Sequence, residues 1–226
     1  MNTLEICVDN PRDLATAIAA NVDRIELCSA LDLGGLTPTL ELIEKAKASP
    51  IPIYAMIRPR GGDFVYSAAE IRSMEHAIAL VKSAGFAGVV FGALNADRTL
   101  DLPAMNRLCA AAEGMGMTLH RAVDEMPVPS DSVPTAIDLG FERILTSGGA
   151  DKAINGVDEI TKMVLLAADN IEIMAGSGVS FHNIKQLNAA GVWSFHASCR
   201  EKSNGILGQS INNLMLEKTK VEIEEL

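Results

Sequence analysis

The chain alternates short apolar runs with helical patterns, and it does so eight times. The strand-like runs are Leu4–Val8, Arg24–Cys28, Ile53–Arg58, Gly88–Phe91, Met117–Arg121, Arg143–Thr146, Ile171–Ala175 and Val192–Ala197. Helical patterns lie between nearly all of them. Strands that alternate with helices form a parallel sheet with the helices outside. One phrase recurs where a helix meets the next strand: AANVDRIEL from Ala19, SAGFAGVVF from Ser83, DLGFERILT from Asp138 and NAAGVWSFH from Asn188. In each, Gly or Asn ends the helix, as a left-handed cap requires, and an apolar residue leads into the strand. A joint used repeatedly suggests a modular, closed array. Eight such units imply a (β/α)8 TIM barrel, as a single domain over 1–226. At 226 residues the chain is short for a fold of about 250, so several helices must be only two or three turns long. A doubly wound open sheet is the alternative, but no GxGxxG follows the first strand.

Helix starts carry their own signals. Asn10-Pro11 and Thr37-Pro38 place a capping residue before a proline at the first helical position. Ser67 and Glu70 form a capping-box pattern. Asp101 and Ser180 are expected to cap the helices carrying Met105 and Leu108, and Ile184 and Leu187. The segment Glu217–Leu226 is mixed and charged, and reads as a short edge or interface element.

The net charge of −10, from 29 acidic and 19 basic residues, weighs against a nucleic-acid surface. It leaves room for a small anionic ligand in a locally basic pocket. There is no apolar run long enough to cross a membrane and no secretory pattern at the start, so a cytoplasmic location is expected. The four cysteines, Cys7, Cys28, Cys109 and Cys199, include no CxxC pair, and disulfides are not expected in a reducing compartment.

The strands contain polar residues where plain core is expected, and burying a charge without a partner is costly. Strand side chains alternate in direction, and the outward set must be apolar to meet the helices. The inward set then comprises Glu5, Cys7, Arg24, Glu26, Cys28, Tyr54, Met56, Arg58, Thr118, His120, Glu172, Met174, Ser194 and His196. Glu5, Glu26 and Glu172 are expected deeper. Arg58, His120 and His196 are expected near the C-terminal strand ends, where barrel chemistry is placed. A buried ion network that only stabilises the core is the alternative reading. Glu26, Arg58, His120, Glu172 and His196 are the candidate catalytic residues. His120 or Glu26 would act as general base and Arg58 as a bidentate anion clamp.

Four loops add candidate ligand contacts. Arg58-Pro59-Arg60-Gly61-Gly62-Asp63-Phe64 is long, charged and glycine-rich, and Arg60 and Asp63 could recognise a ligand or simply bridge each other. Arg121 and Asp124 follow the fifth strand. Ser147-Gly148-Gly149 and Gly176-Ser177-Gly178 could cradle an anion with backbone N–H groups, although short glycine turns are often only turns. Arg200 lies just beyond the eighth strand and could assist.

Cys7 and Cys28 end adjacent strands on the inward face. Two thiolates would suit Cu(I), while buried free cysteine also behaves as a small hydrophobe. Cys109 falls on a core-facing helical stripe, and Cys199 is expected to face the site or solvent. His76 and His182 fall on polar helix faces.

The phrases LEICV, RIELCSALDLGGLTP, IRPRGGDFVYS, TLHRAVD, RILTSGG and IMAGSGV resemble the copper homeostasis protein CutC family, from about Leu4 to Ser198. The resemblance implies a cytoplasmic (β/α)8 barrel that forms homo-oligomers and takes part in copper tolerance. It also implies Cu(I) as the bound ion, with Cys7 and Cys28 as ligands. His196-Ala197-Ser198 looks like the family's His-Ser-Ser ending with alanine in the middle. Cys199-Arg200-Glu201 departs from the small residues expected there, and the C-terminal part is shorter. Beside copper binding stand two other readings. One is an isomerase- or lyase-type enzyme acting on a small phosphorylated or carboxylated metabolite. The other is a non-catalytic oligomeric scaffold.

Overall fold

A computed structural model describes residues 2–203 and 206–226. Eight parallel strands close into a barrel in chain order: β1 (Thr3–Val8), β2 (Arg24–Leu27), β3 (Ile53–Met56), β4 (Gly88–Phe91), β5 (Gly116–Leu119), β6 (Arg143–Thr146), β7 (Glu172–Ala175) and β8 (Ser194–Ala197). Outside run α1 (Pro11–Ala19), α2 (Leu40–Ala46), α3 (Ala68–Ser83), α4 (Leu102–Ala111), α5 (Ser132–Asp138), α6 (Val157–Ala167), α7 (Ile184–Ala189) and α8 (Asn213–Glu224). The expected (β/α)8 barrel is therefore present, and α2, α5 and α7 are indeed two turns or less. A two-stranded antiparallel hairpin, β9 (Lys202–Ser203) and β10 (Ile206–Leu207), separates β8 from α8.

Local chemistry explains most helix starts. Asn10 accepts from the Asp13 amide, Asp101 from the Ala104 amide, and Ser67 with Glu70 closes a full capping box. Two expected caps are corrected. Thr39, not Thr37, caps α2, because the Thr37 hydroxyl donates to the Arg58 carbonyl at 3.0 Å. Asn183, not Ser180, stands at the start of α7, and its side chain accepts from the Ser180 amide at 3.0 Å. The four repeated joints turn on left-handed residues: Asn21, Gly85, Gly140 and Gly191 all have positive φ.

The sheet separates two environments. Leu4, Ile6, Val8, Ile25 and Leu27 face the helices in one continuous apolar layer. Cys7, Cys28, Tyr54, Met56 and Val90 form a second, interior cluster. Tyr54 lies across the neighbouring strands and requires two glycines there. A Cβ at Gly88 would sit 2.1 Å from Tyr54 Cε1, and one at Gly116 would sit 2.3 Å from its hydroxyl. Burying the apolar face of eight strands against eight helices is the main stabilising contribution.

The last segment is not an edge element. Residues 217–224 belong to α8, which packs beside α7 and is tied to it by Lys185 with Glu222 at 2.8 Å. Cys199 is also corrected. It is buried, 4% exposed, and its thiol points at the Thr219 hydroxyl of α8 rather than at the site or solvent.

Candidate functional site

The expected single polar site resolves into four clusters, the first two joined through Glu5. The first lies among the starts of the strands. Register pairs Glu5 with Arg24, and Arg143 with Glu172. Arg24 Nε donates to Glu5 Oε2, while its Nη2 meets Glu172 Oε1 at 3.2 Å. Arg143 reaches the same Glu172 oxygen at 3.4 Å and donates to Thr118 Oγ1 at 3.1 Å. Both guanidiniums lie over the Tyr54 ring, at 5.5 and 4.6 Å from its centroid. Glu172 is thus enclosed by two arginines, in a network that fixes the base of the barrel.

The second cluster joins Cys7, Glu26 and His196. One ligand atom from each lies within 4.8 Å of the others. Register brings Cys7 opposite Glu26 and Glu5 opposite His196 as the barrel closes. The ring Nδ1 of His196 sits 2.7 Å from Glu5 Oε1 and donates to it, which leaves Nε2 facing Glu26 Oε2 at 3.8 Å. Glu26 Oε1 is buried without a hydrogen-bond partner. The Cys7 thiol makes a weak contact with the Ala197 carbonyl at 3.7 Å and lies beside the His196 ring.

Electrostatics follow from this packing. Burial pushes Glu5 upward, but Arg24 and His196 override it and hold the carboxyl at about 2. Burial pushes Glu26 up to about 7, against the pull of His196. Burial disfavours the charged form of His196, but Glu26, Cys7 and Glu5 together raise it well above the ordinary imidazole value. Cys28 is near but outside the group. Its thiol donates to the Val8 carbonyl at 3.3 Å, and burial raises it well above an ordinary thiol.

The third cluster lies at the mouth. β3 ends at Met56 and β5 at Leu119, so Arg58 and His120 stand just past the strands rather than in them. Arg58 donates to the carbonyls of Leu33, Gly35 and Gly62 at 2.9, 3.3 and 2.8 Å. It clamps the second and third loops together. His120 accepts from the Ala122 amide through Nδ1 at 3.2 Å, and burial together with Arg58 pushes it down to about 3. Phe64 touches both, with Arg58 Cζ 4.7 Å and the His120 ring 4.8 Å from its centroid. Among the described residues, no hydrogen bond or ion pair links Arg58 or His120 to Glu5, Glu26, Glu172 or His196. Arg60 and Asp63 bridge each other at 3.0 Å on the surface, and Arg60 also meets Glu70 at 2.6 Å.

The fourth cluster is the glycine turn after β6, which already holds an anion from the chain itself. The Asp124 carboxylate accepts from the Ser147 amide at 3.0 Å, the Gly149 amide at 3.1 Å, the Thr146 hydroxyl at 2.6 Å and Arg121 Nε at 2.8 Å. Gly148 is required here, since a Cβ would lie 2.3 Å from the Gly156 carbonyl oxygen. After β7, Gly176 donates to the Thr146 carbonyl at 2.9 Å, and a Cβ at Gly178 would lie 3.0 Å from Lys152 Cγ. Arg200 is turned away from both loops. It is paired with Asp9 and Asp13, each at 2.6 Å, and pins the eighth loop to α1.

Arg143 is not among the expected site residues, and Arg200, expected to assist an anion cradle, instead forms a triad with Asp9 and Asp13. Arg143 opens its strand and belongs to the alternating inward set, so its signal was present. The triad carries no comparable signal, because Arg200 is 191 and 187 residues from its two aspartates.

The CutC family model matches residues 2–201. The chain belongs to the CutC family. A CutC family protein of Rhizobium meliloti is 48% identical over 198 residues, covering 87% of this chain and 81% of that relative. One from Caulobacter vibrioides is 48% identical over 196 residues, covering 86% and 80%. The crystal structure of CutC from Streptococcus agalactiae superposes with a TM-score of 0.83 at 33% identity, covering 88% of this chain and 99% of that one. Among the described residues of this CutC family chain, no helix is long and apolar enough to cross a membrane.

Proposed function

We propose that this CutC family protein binds Cu(I) as cargo at Cys7, Glu26 and His196, and that it serves copper homeostasis in the cytoplasm. The observation that carries the reading is the approach of one sulfur, one nitrogen and one carboxylate oxygen to within 4.8 Å in the barrel interior. The copper-homeostasis name of the Streptococcus agalactiae relative supports the choice of ion.

The donor set suits such an ion. A thiolate and an imidazole are preferred by soft and borderline metals. Metal-binding histidines characteristically donate their other ring N–H to a carboxylate, as His196 does to Glu5 at 2.7 Å. The bare Glu26 Oε1 offers a further acceptor. Cys28 shares the interior cluster with Cys7 and is the natural additional thiol once Cu(I) competes for its proton. A reducing cytoplasm would keep both thiols available.

The test is titration of reduced protein with Cu(I) against a competing chelator. The expected result is about one ion per chain. Cys7→Ala and His196→Ala should each weaken binding, and Cys28→Ala should weaken it less. X-ray absorption should show sulfur and nitrogen scatterers in wild type. Unchanged affinity in the Cys7→Ala, His196→Ala double variant would overturn the site. A preference for Zn(II) over Cu(I) would overturn the choice of ion.

A further inference from the structure

Three polar groups near the third loop are buried without partners: Arg58 Nε, His120 Nε2 and the Tyr66 hydroxyl. Arg58 is 6% exposed and has no carboxylate beside it among the described residues: its hydrogen bonds go to carbonyls, and the Phe64 ring and the Tyr66 hydroxyl lie next to it. Because His120 Nδ1 accepts from an amide, the proton of the neutral ring sits on Nε2. Arg58 Nε and His120 Nε2 are therefore both donors lacking an acceptor. Leaving such groups unmet in the interior is costly, and a buried guanidinium calls for an opposite charge.

Both side chains are packed on one aromatic ring. Phe64 is stacked under Arg58 at 4.7 Å and tilted against His120 at 4.8 Å. The ring is only half-buried, whereas its backbone is tied down by the Leu94 amide donating to the Phe64 carbonyl at 2.9 Å. Rotation about its side-chain torsions leaves that bond intact, and would free the space of a phenyl ring between a cation and a neutral N–H donor.

We infer that this seat is a binding site for a small flat carboxylate, with Phe64 standing in it as a plug when no ligand is bound. The ligand's apolar body replaces the Phe64 ring against Arg58 and His120. Its carboxylate takes the open Arg58 Nε–H and His120 Nε2–H. The site is distinct from the Cys7–Glu26–His196 cluster, so each stands or falls without the other. It is also distinct from the Asp124 turn, where a carboxylate of the chain is already held.

Benzoate is the direct probe, being a phenyl ring with a carboxylate attached, and benzamide is its neutral counterpart. Binding is read by the ring-nitrogen NMR signals of His120 in protein labelled at histidine and by calorimetry. Phe64→Ala should bind benzoate at least about tenfold more tightly than wild type. Benzamide should bind Phe64→Ala at least about tenfold more weakly than benzoate. The His120 Nε2 signal should shift on saturation with benzoate. The comparison of ligands reads the role of charge while leaving Arg58 and the loops it clamps unaltered. Equal binding of benzoate and benzamide, or no saturable shift at His120 in Phe64→Ala, would overturn the proposal.

Discussion

His196 Nδ1 donates to Glu5 Oε1 across 2.7 Å, joining the last barrel strand to the first. This bond fixes the ring orientation that leaves Nε2 pointing at Glu26 and Cys7. Glu5→Gln should therefore lower Cu(I) affinity by about 10- to 100-fold, the usual effect of removing such a supporting partner. Competition titration measures it, with near-UV circular dichroism to verify the fold. Affinity equal to wild type would show that the ring needs no such support.

Tyr54 and Gly88 form a steric pair inside the barrel, with no room for a methyl group at Gly88. Gly88→Ala should destabilise the protein by about 3 kcal/mol through overpacking. Urea unfolding measures it. Adding Tyr54→Leu should recover only part of that loss, because it removes the ring clash but leaves the Gly116 carbonyl oxygen 2.6 Å from the new Cβ.

Asp124→Ala should loosen the turn after β6. It leaves the Ser147 and Gly149 amides without their acceptor, a loss of about 2 kcal/mol after partial hydration of this half-open loop. Amide hydrogen exchange at Ser147 and Gly149 should accelerate. Retained protection at both would mean that Thr146 and Arg121 hold the turn on their own.

His120 sets an acid sensitivity whose sign follows from its burial. Its folded value, about 3, is below the ordinary 6.5, so the unfolded chain binds more protons in between. The stability contributed by neutral His120 is fully present above pH 6.5 and declines as pH falls toward 3. Glu26 acts in the opposite direction between 7 and 4.5, so the total curve mixes the two. The difference between wild type and His120→Asn isolates the histidine. That difference should shrink by about 1.4 kcal/mol per pH unit below 6.5. Parallel curves would place His120 in a better hydrated setting than its 2% exposure indicates.

Much of the barrel was readable in advance because its signals are local. The capping residues Asn10, Ser67 and Asp101 act within three or four positions of themselves. The alternation of Leu4, Ile6 and Val8 against Glu5 and Cys7 is a property of one strand. Arg58 and His120 were placed at the mouth correctly, but their partners were not legible. Arg58 meets carbonyls of another loop 23 and 25 residues away, which carry no side-chain signature. His196 was expected beside them and instead joins Glu5 and Glu26.

The amino-acid sequence by itself determined the number of strand-helix units, the faces each strand presents and the family to which the chain belongs. These follow from period-two alternation, helix caps and recurring joints, all short-range effects. Only the tertiary structure decided which polar residues share a cluster. Closing β8 onto β1 sets a register that no single strand specifies, and that register puts His196 against Glu5 and leaves Arg58 and His120 around Phe64. The same closure sends Asp124 into the turn after β6 and Arg200 onto Asp9 and Asp13. Such pairings depend on strand stagger and loop path, so the residues could be named from the sequence before their neighbours could.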